Sequence, residues 1–183
     1  MYHIKNDKRS LKSAAIISDG LLSCLKEKPL NMITITDISD KADISRSTFY
    51  RLFDNIEDVI EYLIDNIFEE LYIFLSTSSH NNPYAKAMEI CYENAELIQY
   101  VFAANRFDLM FKTYERMMNR YEATHTFYTD ADHQQIYFDF SILSGVIIGA
   151  LHAWVKNGQQ EDMDQLLSRI SVSLVKIQNK FIR

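Results

Sequence analysis

The residues best suited to chemistry lie in one short segment, residues 34–53, with the sequence TITDISDKADISRSTFYRLF. Its second half concentrates guanidinium and hydroxyl groups: Arg46, Ser47, Thr48, Tyr50 and Arg51. Such groups donate hydrogen bonds to the phosphate oxygens and base edges of DNA. An arginine that pairs with guanine through two hydrogen bonds contributes about 1–3 kcal/mol of discrimination. The segment therefore favours recognition of nucleic acid.

Two helix starts and a turn would position these groups. Thr34 and Asp37 form a capping-box pattern, in which each side chain satisfies a backbone donor at the start of a helix. Asp43 stands where this helix must end, and aspartate tolerates the left-handed turn conformation better than most residues. Ser45 is a good N-cap for a second helix over residues 46–52. The segment therefore predicts two helices joined by a tight turn.

Apolar spacing predicts which faces of these helices point inward. Ile38 and Ala42 lie four residues apart on the first helix, and Phe49 and Phe53 lie four apart on the second. If these pairs are buried, the polar side chains of the second helix point to other faces. Hydroxyl-rich helix starts are often only caps, so caps alone are a weak signal. The full run of caps, apolar anchors and cations favours a DNA-reading helix-turn-helix.

The segment resembles the N-terminal DNA-binding domain of the tetracycline-repressor (TetR-like) transcriptional regulators. The resemblance covers about residues 8–64 and is strongest in RSTFYRLF at residues 46–53, followed by EDVI at residues 57–60. It implies that Thr34 and Tyr50 contact phosphates. It further implies that five side chains face the major groove: Thr36, Arg46, Ser47, Thr48 and Arg51. Three residues depart from the family pattern, namely Asp43 for Gly, Leu52 for His or Tyr, and Ile56 for Lys.

Composition favours an all-α protein of about nine helices. Of 183 residues, 48% are hydrophobic, which is enough for a real core, and only four Gly and two Pro are present. The net charge of -6 is unevenly distributed, since residues 1–55 hold nine Lys and Arg against seven Asp and Glu. Because screening acts over about 8 Å at physiological salt, a distant acidic half repels DNA weakly. Contact would depend on local cations, which are Lys5, Lys8, Arg9, Lys12, Arg46 and Arg51.

We predict two domains: a helix-turn-helix DNA-binding domain at residues 1–55 and a helical regulatory and dimerisation domain at residues 56–183. Helix signals place a first helix at 8–28 and a long helix from Asn55 to about residue 75, followed by a turn at 80–83. Further helices are predicted at 84–94, 95–104, 107–125, 132–157 and from 162 to near the C-terminus, with a polar loop at 126–132. Strand alternation and internal repeats are absent from the sequence.

The last two predicted helices carry an association signal. Apolar residues of the final helix recur at steps of four and three, forming a narrow seam: Met163, Leu167, Ile170, Leu174, Ile177 and Phe181. The preceding helix has small residues at four-residue spacing, Ser141, Gly145, Gly149 and Ala153, which allow close helix approach. Periodicity alone leaves intramolecular packing equally open. The resemblance favours a homodimer, with interface residues Gly145, Gly149, Trp154, Leu167, Ile170, Leu174 and Ile177.

Such a dimer would suit a palindromic DNA operator, because two recognition helices about 34 Å apart meet successive major grooves. The resemblance also implies a small-molecule effector whose binding releases a repressor from its operator. Aromatic and Met residues of the middle region are more typical of core, so no ligand-binding residue is singled out. Control by a partner protein, action as an activator, and a helical adaptor that binds no DNA stay open as alternatives.

Other features exclude competing classes. The longest uncharged run, residues 140–155, falls short of the roughly 20 residues that span a bilayer, so a buried helix and no membrane partner are expected. Without a signal-peptide core at the N-terminus, the protein is expected to be cytoplasmic. Cys24 and Cys91 lack metal-ligand spacing and fit buried, reduced thiols. The pair His125 and His133 flanks a loop. We therefore expect no catalysis, no cofactor and no metal.

Overall fold

A computed structural model describes residues 2–77, 82–124 and 130–181 of the chain. Within these residues the protein is all-helical, with nine α-helices, one 3-10 turn and no strand. The predicted all-α class is confirmed. The first half of the predicted turn at 80–83, the start of the loop at 126–132 and the side chains of His125 and His133 lie outside the described residues.

The helices follow the predicted order with small differences at their ends. Their bounds are α1 Lys8–Leu25, α2 Ile35–Lys41, α3 Arg46–Tyr50, α4 Ile56–Thr77, α5 Pro83–Glu93, α6 Ala95–Ala103, α7 Asp108–Thr124, α8 Asp130–Lys156 and α9 Met163–Phe181, with the 3-10 turn at Leu30–Met32. Asn82 caps α5, and Pro83 is its first residue. Gly158 lies two residues beyond the end of α8 and has φ 77°, a conformation that glycine adopts without steric cost.

Three predicted helix bounds need correction. Helix α1 ends at Leu25 instead of residue 28, because the amides of Glu27 and Lys28 both turn back to the carbonyl of Cys24. Helix α3 ends at Tyr50 instead of residue 52, and the Leu52 amide closes a tighter turn on Phe49. Helix α8 already begins at Asp130, inside the predicted loop.

The chain divides into two compact units. One comprises residues 1–68 and 96–113, and the other comprises residues 69–95 and 114–183. The first unit therefore contains the helix-turn-helix together with half of α4, all but the first residue of α6, and the start of α7. This division differs from the boundary that we placed between residues 55 and 56. Confinement of DNA binding to residues 1–55 stays a prediction.

The core of the first unit is built on the predicted anchors. Ile38, Phe49 and Phe53 are fully buried there, together with residues of α1 such as Ile17 and Leu21. Cys24 in α1 is a free, buried thiol. The burial of these side chains holds α1 against α2 and fixes the inward faces of α2 and α3.

In the second unit, α5 packs on α8 and α9. Trp154 of α8 stacks on Tyr92 of α5 with ring centroids 5.0 Å apart, and its Nε1 donates to the Glu161 carbonyl at 3.2 Å. Cys91 is a free thiol in this core, where burial raises its pKa to about 12. A thiol in that state is protonated and unreactive at neutral pH.

The expectation that the apolar part of α8 is buried is wrong for the single chain. By length and composition the stretch Tyr137–Lys156 could cross a membrane, but a single helix of this kind is also typical of cores and interfaces in proteins outside membranes. Only 22% of its apolar window is buried. Tyr137, Phe138 and Ile142 are exposed. Ile147, Ile148, Leu151 and Trp154 are buried within the chain, so only part of the apolar surface of α8 is covered by the described residues.

Candidate nucleic-acid interface

The start of α2 is set by the predicted capping box. The Thr34 hydroxyl accepts from the Asp37 amide at 3.2 Å, while Asp37 accepts from the Thr34 amide at 2.7 Å. Lys28 reinforces this corner with an ammonium group 2.7 Å from the Asp37 carboxylate. The hydrogen bond from Lys28, followed by those from Thr34, lowers the Asp37 pKa to about 2. The first helix of the motif therefore begins at a charged, well-satisfied cap.

The turn between α2 and α3 has the predicted left-handed residue. Asp43 adopts φ 49°, and the next amide, from Ile44, donates to the Ser39 carbonyl at 3.0 Å. Asp is among the few residues other than Gly that adopt this conformation readily. The chain therefore reverses direction at Asp43 and leads directly into the cap of α3.

Ser45 caps α3 and organises the hydroxyls of its first turn. Its Oγ accepts from the Thr48 amide at 3.2 Å, as predicted for an N-cap. The same oxygen lies 2.8 Å from Ser47 Oγ and 2.9 Å from Thr48 Oγ1. A hydroxyl combines one donor with two acceptor positions, so these groups can still bind a further partner. The first turn therefore presents a preorganised set of three hydroxyls.

Buried aromatic and aliphatic groups hold the inner face of α3. Phe49, Leu52 and Phe53 are each at most 1% exposed. The Phe49 and Phe53 rings lie 5.8 Å apart, and Phe53 lies 5.8 Å from Tyr62 of α4. A five-residue helix has too few hydrogen bonds to be stable alone, so these anchors set its position.

The outer face of α3 carries the predicted polar groups. Arg46, Ser47, Tyr50 and Arg51 are exposed, with 47% of Tyr50 accessible, and Thr48 is half-buried. The Arg46 guanidinium carbon lies 6.0 Å from the centre of the Tyr50 ring. The structure thus places these side chains together on one accessible surface, with Arg51 following as the residue that caps the helix end.

The two predicted site residues of α2 differ from each other. Thr36 is exposed on the first turn. Thr34 is also exposed, but its hydroxyl already donates to the Asp37 carboxylate at 2.6 Å. A donor bond from Thr34 to a phosphate would have to replace this internal bond. The phosphate contact of Thr34 stays a prediction, and it would compete with the hydrogen bond by which Thr34 caps α2.

Cations of the first unit fall into two groups. Lys26, Lys28 and Lys41 pair with Glu96, Asp37 and Glu27, respectively. Among the described residues, none of the six predicted DNA-contacting cations forms a salt bridge, although Lys5 still acts electrostatically on Asp7: Lys5, Lys8, Arg9, Lys12, Arg46 and Arg51. An unpaired ammonium or guanidinium can bind a phosphate without first giving up a carboxylate, so positive potential is concentrated at this second group.

Sequence reasoning missed the contribution of the N-terminal arm, residues 2–7. Tyr2 donates its hydroxyl to Asp65 of α4 at 2.6 Å, and the His3 amide donates to the Leu52 carbonyl at 2.8 Å. These contacts join residues about 50 to 60 positions apart, which local periodicity does not report. The sequence signal available for this arm was Tyr2, an aromatic residue close to the cations Lys5, Lys8 and Arg9.

The predicted dimer residues do not share one environment. Trp154 and Ile170 are buried within the single chain, where they have intramolecular roles. Leu174 and Ile177 are 41% and 47% exposed, and Leu167 is half-buried. Gly145 and Gly149 are exposed, with open space where a Cβ would stand. Contact of these residues with a second chain stays a prediction.

In the described parts of the chain, no cluster of three His, Cys, Asp or Glu residues could hold a metal ion. In the middle region, Arg106 binds Glu57 and Asp108, while Met88 and Met110 are buried as ordinary core.

Comparison with known proteins gives one relative and one solved structure to report. No family model matches the chain. The chain is 32% identical over 66 residues to the HTH-type dhaKLM operon transcriptional activator DhaS of Lactococcus lactis subsp. lactis (strain IL1403). The match spans 36% of this chain and about a third, 35%, of that protein. A solved structure titled dihydroxyacetone kinase operon activator DhaS has a TM-score of 0.49 and 18% identity, over 90% of this chain and 97% of that chain. The sequence comparison therefore shows that a 66-residue part of this chain is similar to a transcriptional activator of the helix-turn-helix type.

Proposed function

We propose that this chain is a sequence-specific DNA-binding transcription regulator of the TetR-like kind, which acts by binding and without catalysis. The observation that carries the proposal is the outer face of α3. There, Arg46, Tyr50 and Arg51 are accessible and free of carboxylate partners among the described residues, while Phe49 and Phe53 anchor the opposite face. The sequence similarity to an HTH-type regulator supports the same conclusion.

Each predicted residue receives a role in this proposal. Tyr50 and Thr34 contact phosphates, which set the register of the protein on the duplex. The groove-facing residues are Thr36, Arg46, Ser47, Thr48 and Arg51, of which the two arginines can read guanine. The unpaired lysines at the start of α1 add sequence-independent attraction to the backbone. A regulator of this kind acts where the DNA is, so a cytoplasmic location belongs to the proposal.

The proposed active form is a homodimer joined through α8 and α9. Residues 171–180 of α9 are all exposed, although they include Val172, Leu174, Val175 and Ile177. A groove of about 400 Å³ lies between α8 and α9 and is lined by Gly145, Gly149, Ala153, Leu174 and Ile177 among others. An isolated helix with this apolar surface is marginal in water. A second copy would cover it and would provide the paired α3 helices that a palindromic operator requires.

The proposed mode of regulation is repression, released by a small apolar or amphipathic effector that binds the helical domain. The resemblance to the TetR-like regulators supports this mode. Activation is a second candidate, and it is favoured because the relative DhaS is a transcriptional activator. Control by a partner protein instead of a small molecule is compatible with either sign of regulation.

Selection of duplexes from random DNA, followed by titration, tests DNA binding. We expect a nanomolar-class dissociation constant for the selected palindrome and a steep dependence on salt. The double variant Arg46→Ala with Tyr50→Ala should lose this binding. The matched control is Lys26→Ala with Tyr100→Ala, which removes an exposed cation and a tyrosine from the same unit but away from α3.

Unchanged affinity in the α3 double variant would contradict the assigned site. If the wild-type chain bound neither random nor genomic duplexes at low salt, the adaptor alternative would replace the proposal. A reporter gene placed behind the selected operator gives the sign of regulation. A thermal-shift screen tests the effector, because a ligand that binds the folded state raises its melting temperature.

A further inference from the structure

The N-terminal arm, residues 2–7, is fixed to the segment that directly follows α3 through main-chain and side-chain contacts. The His3 amide donates at 2.8 Å to the carbonyl of Leu52, which lies two residues beyond the end of α3. The His3 imidazole also lies 3.0 Å from the Asp54 carboxylate. Both of those side chains are more than half exposed, so this contact contributes little. The stronger attachment is made by Tyr2.

Tyr2 joins the arm to the aromatic anchors of α3. Its ring centroid lies 5.4 Å from Tyr62 and 6.3 Å from Phe53, and the latter two rings lie 5.8 Å apart. Phe53 in turn contacts Phe49, the central anchor of α3. The Tyr2 hydroxyl donates to Asp65 at 2.6 Å, which fixes the orientation of the Tyr2 ring on α4. A line of aromatic contacts therefore connects the arm to the helix proposed to read DNA.

The other end of the arm is also fixed. The Asp7 carboxylate caps α1 by accepting from the amides of Arg9 and Ser10 at 3.0 and 2.9 Å. Lys5 thus lies in a short span between His3, bound at α3, and Asp7, bound at α1. The arm braces the end of α3 and presents a cation between two fixed points.

We propose that Tyr2 is a positioning residue for DNA reading, which sets the direction of α3 through Phe53. The inference depends on the proposed DNA-binding function. A five-residue helix can tilt on its anchors, and base contacts require accurate placement of side chains in the groove. Phosphate-driven binding to random DNA tolerates such a tilt, because any cation near the backbone contributes. Tyr2 therefore affects specific binding far more than nonspecific binding.

The test compares Tyr2→Ala, Tyr2→Phe and the wild-type chain on a selected duplex and on a random duplex. Loss of the ring in Tyr2→Ala should weaken binding to the selected duplex about tenfold, the order expected for two aromatic contacts. Binding to the random duplex at low salt should change less than about twofold. Tyr2→Phe keeps the ring and should restore most of the specific affinity. Tyr100→Phe is the matched control, since Tyr100 also donates to a carboxylate, Glu96, in the same unit.

A double-mutant cycle of Tyr2→Phe with Asp65→Ala measures how much their hydrogen bond contributes to the affinity for the selected duplex. The losses of affinity in the two single variants should be clearly non-additive. The inference is overturned if Tyr2→Ala leaves specific binding unchanged. It is also overturned if both affinities fall by the same factor, or if the loss follows the folded fraction in thermal unfolding. Binding of the wild-type chain to the selected duplex tests the proposed DNA-binding function separately. A failure of that function can therefore be distinguished from a failure of the positioning role of Tyr2.

Discussion

Gly20 of α1 lies so close to Ile38 of α2 that a Cβ added to Gly20 would be only 3.0 Å from the Ile38 carbonyl oxygen. The same Cβ would lie 3.1 Å from the Ala42 methyl group. Because the nearest obstacle is backbone, a side chain at this position must push α1 away from α2. This contact sets the spacing between the helix that supports the motif and the motif itself.

We predict that Gly20→Ala destabilises the protein by about 1–3 kcal/mol, as overpacking of a tight contact usually does. The normal preference of helices for Ala over Gly offsets part of this cost. Chemical denaturation measures the change. Ser23→Ala, at an exposed position of the same helix, should stay within about 0.5 kcal/mol of the wild type. A stabilised Gly20→Ala variant would show that α1 and α2 can separate freely.

The Asp37 carboxyl predicts a specific response to acid. Its pKa is lowered from 3.8 to about 2 by Lys28 and Thr34, so its folded-state value lies below its unfolded value. Such a group contributes stability above the unfolded pKa and loses it as pH falls through the folded pKa. The difference in melting temperature between the wild type and Asp37→Asn should therefore shrink from pH of about 4 to about 2.

Asp40→Asn is the control for this acid response, because Asp40 is an exposed carboxyl on the same helix without an ion pair among the described residues. Its melting curve should follow that of the wild type over the same pH range. A constant gap between the wild type and Asp37→Asn down to pH of about 2 would contradict a lowered pKa for Asp37.

Arg51 and Lys41 offer a matched pair of exposed cations. Arg51 lacks a carboxylate partner among the described residues, while Lys41 pairs with Glu27. Arg51→Ala should weaken binding to the selected operator by about 1–3 kcal/mol and relax the preference at one base position. Lys41→Ala should change the affinity little, because its charge is already compensated. Titration of operators with single base changes makes this measurement, and an equal loss on every sequence would reassign Arg51 to phosphate contact.

The exposed end of α9 predicts a self-association that charge can disrupt. Leu174→Asp with Ile177→Asp places two carboxylates in the apolar seam and should shift the protein from twice its 21.4 kDa chain mass to a single chain. Sedimentation velocity reports the mass. Lys176→Glu changes charge outside the Leu174 and Ile177 seam of the same helix and should leave the dimer intact. A wild-type protein that sediments as one chain at micromolar concentration would contradict the proposed dimer.

Much of the motif was predictable from the sequence because its signals are local. The capping pairs at Thr34 and Ser45 act over three residues, and the left-handed turn at Asp43 depends on a single backbone conformation. The Phe49 and Phe53 spacing reports one helix face directly. These interactions involve neighbours along the chain, so residue type and spacing were sufficient to predict them.

Contacts between distant residues were not predictable in this way. The resemblance made Trp154 a candidate for the dimer interface, and only the structure shows that it packs on Tyr92 and is buried within its own chain. The long uncharged run at residues 140–155 suggested a buried helix, but only 22% of the apolar window of α8 is buried in one copy. An apolar stripe shows only that a face avoids water and does not identify what covers it.

The sequence alone determined where the chain forms helices, where α3 is capped, and which of its side chains point inward. Short-range hydrogen bonds and helical spacing decide all three. Only the tertiary structure decided that Tyr2 braces Phe53, that Lys28 reinforces the α2 cap, and that the middle helix α6 packs with the first unit. Those features arise when distant segments meet in three dimensions, because the free energy of burial depends on which surfaces come together and not on their order along the chain.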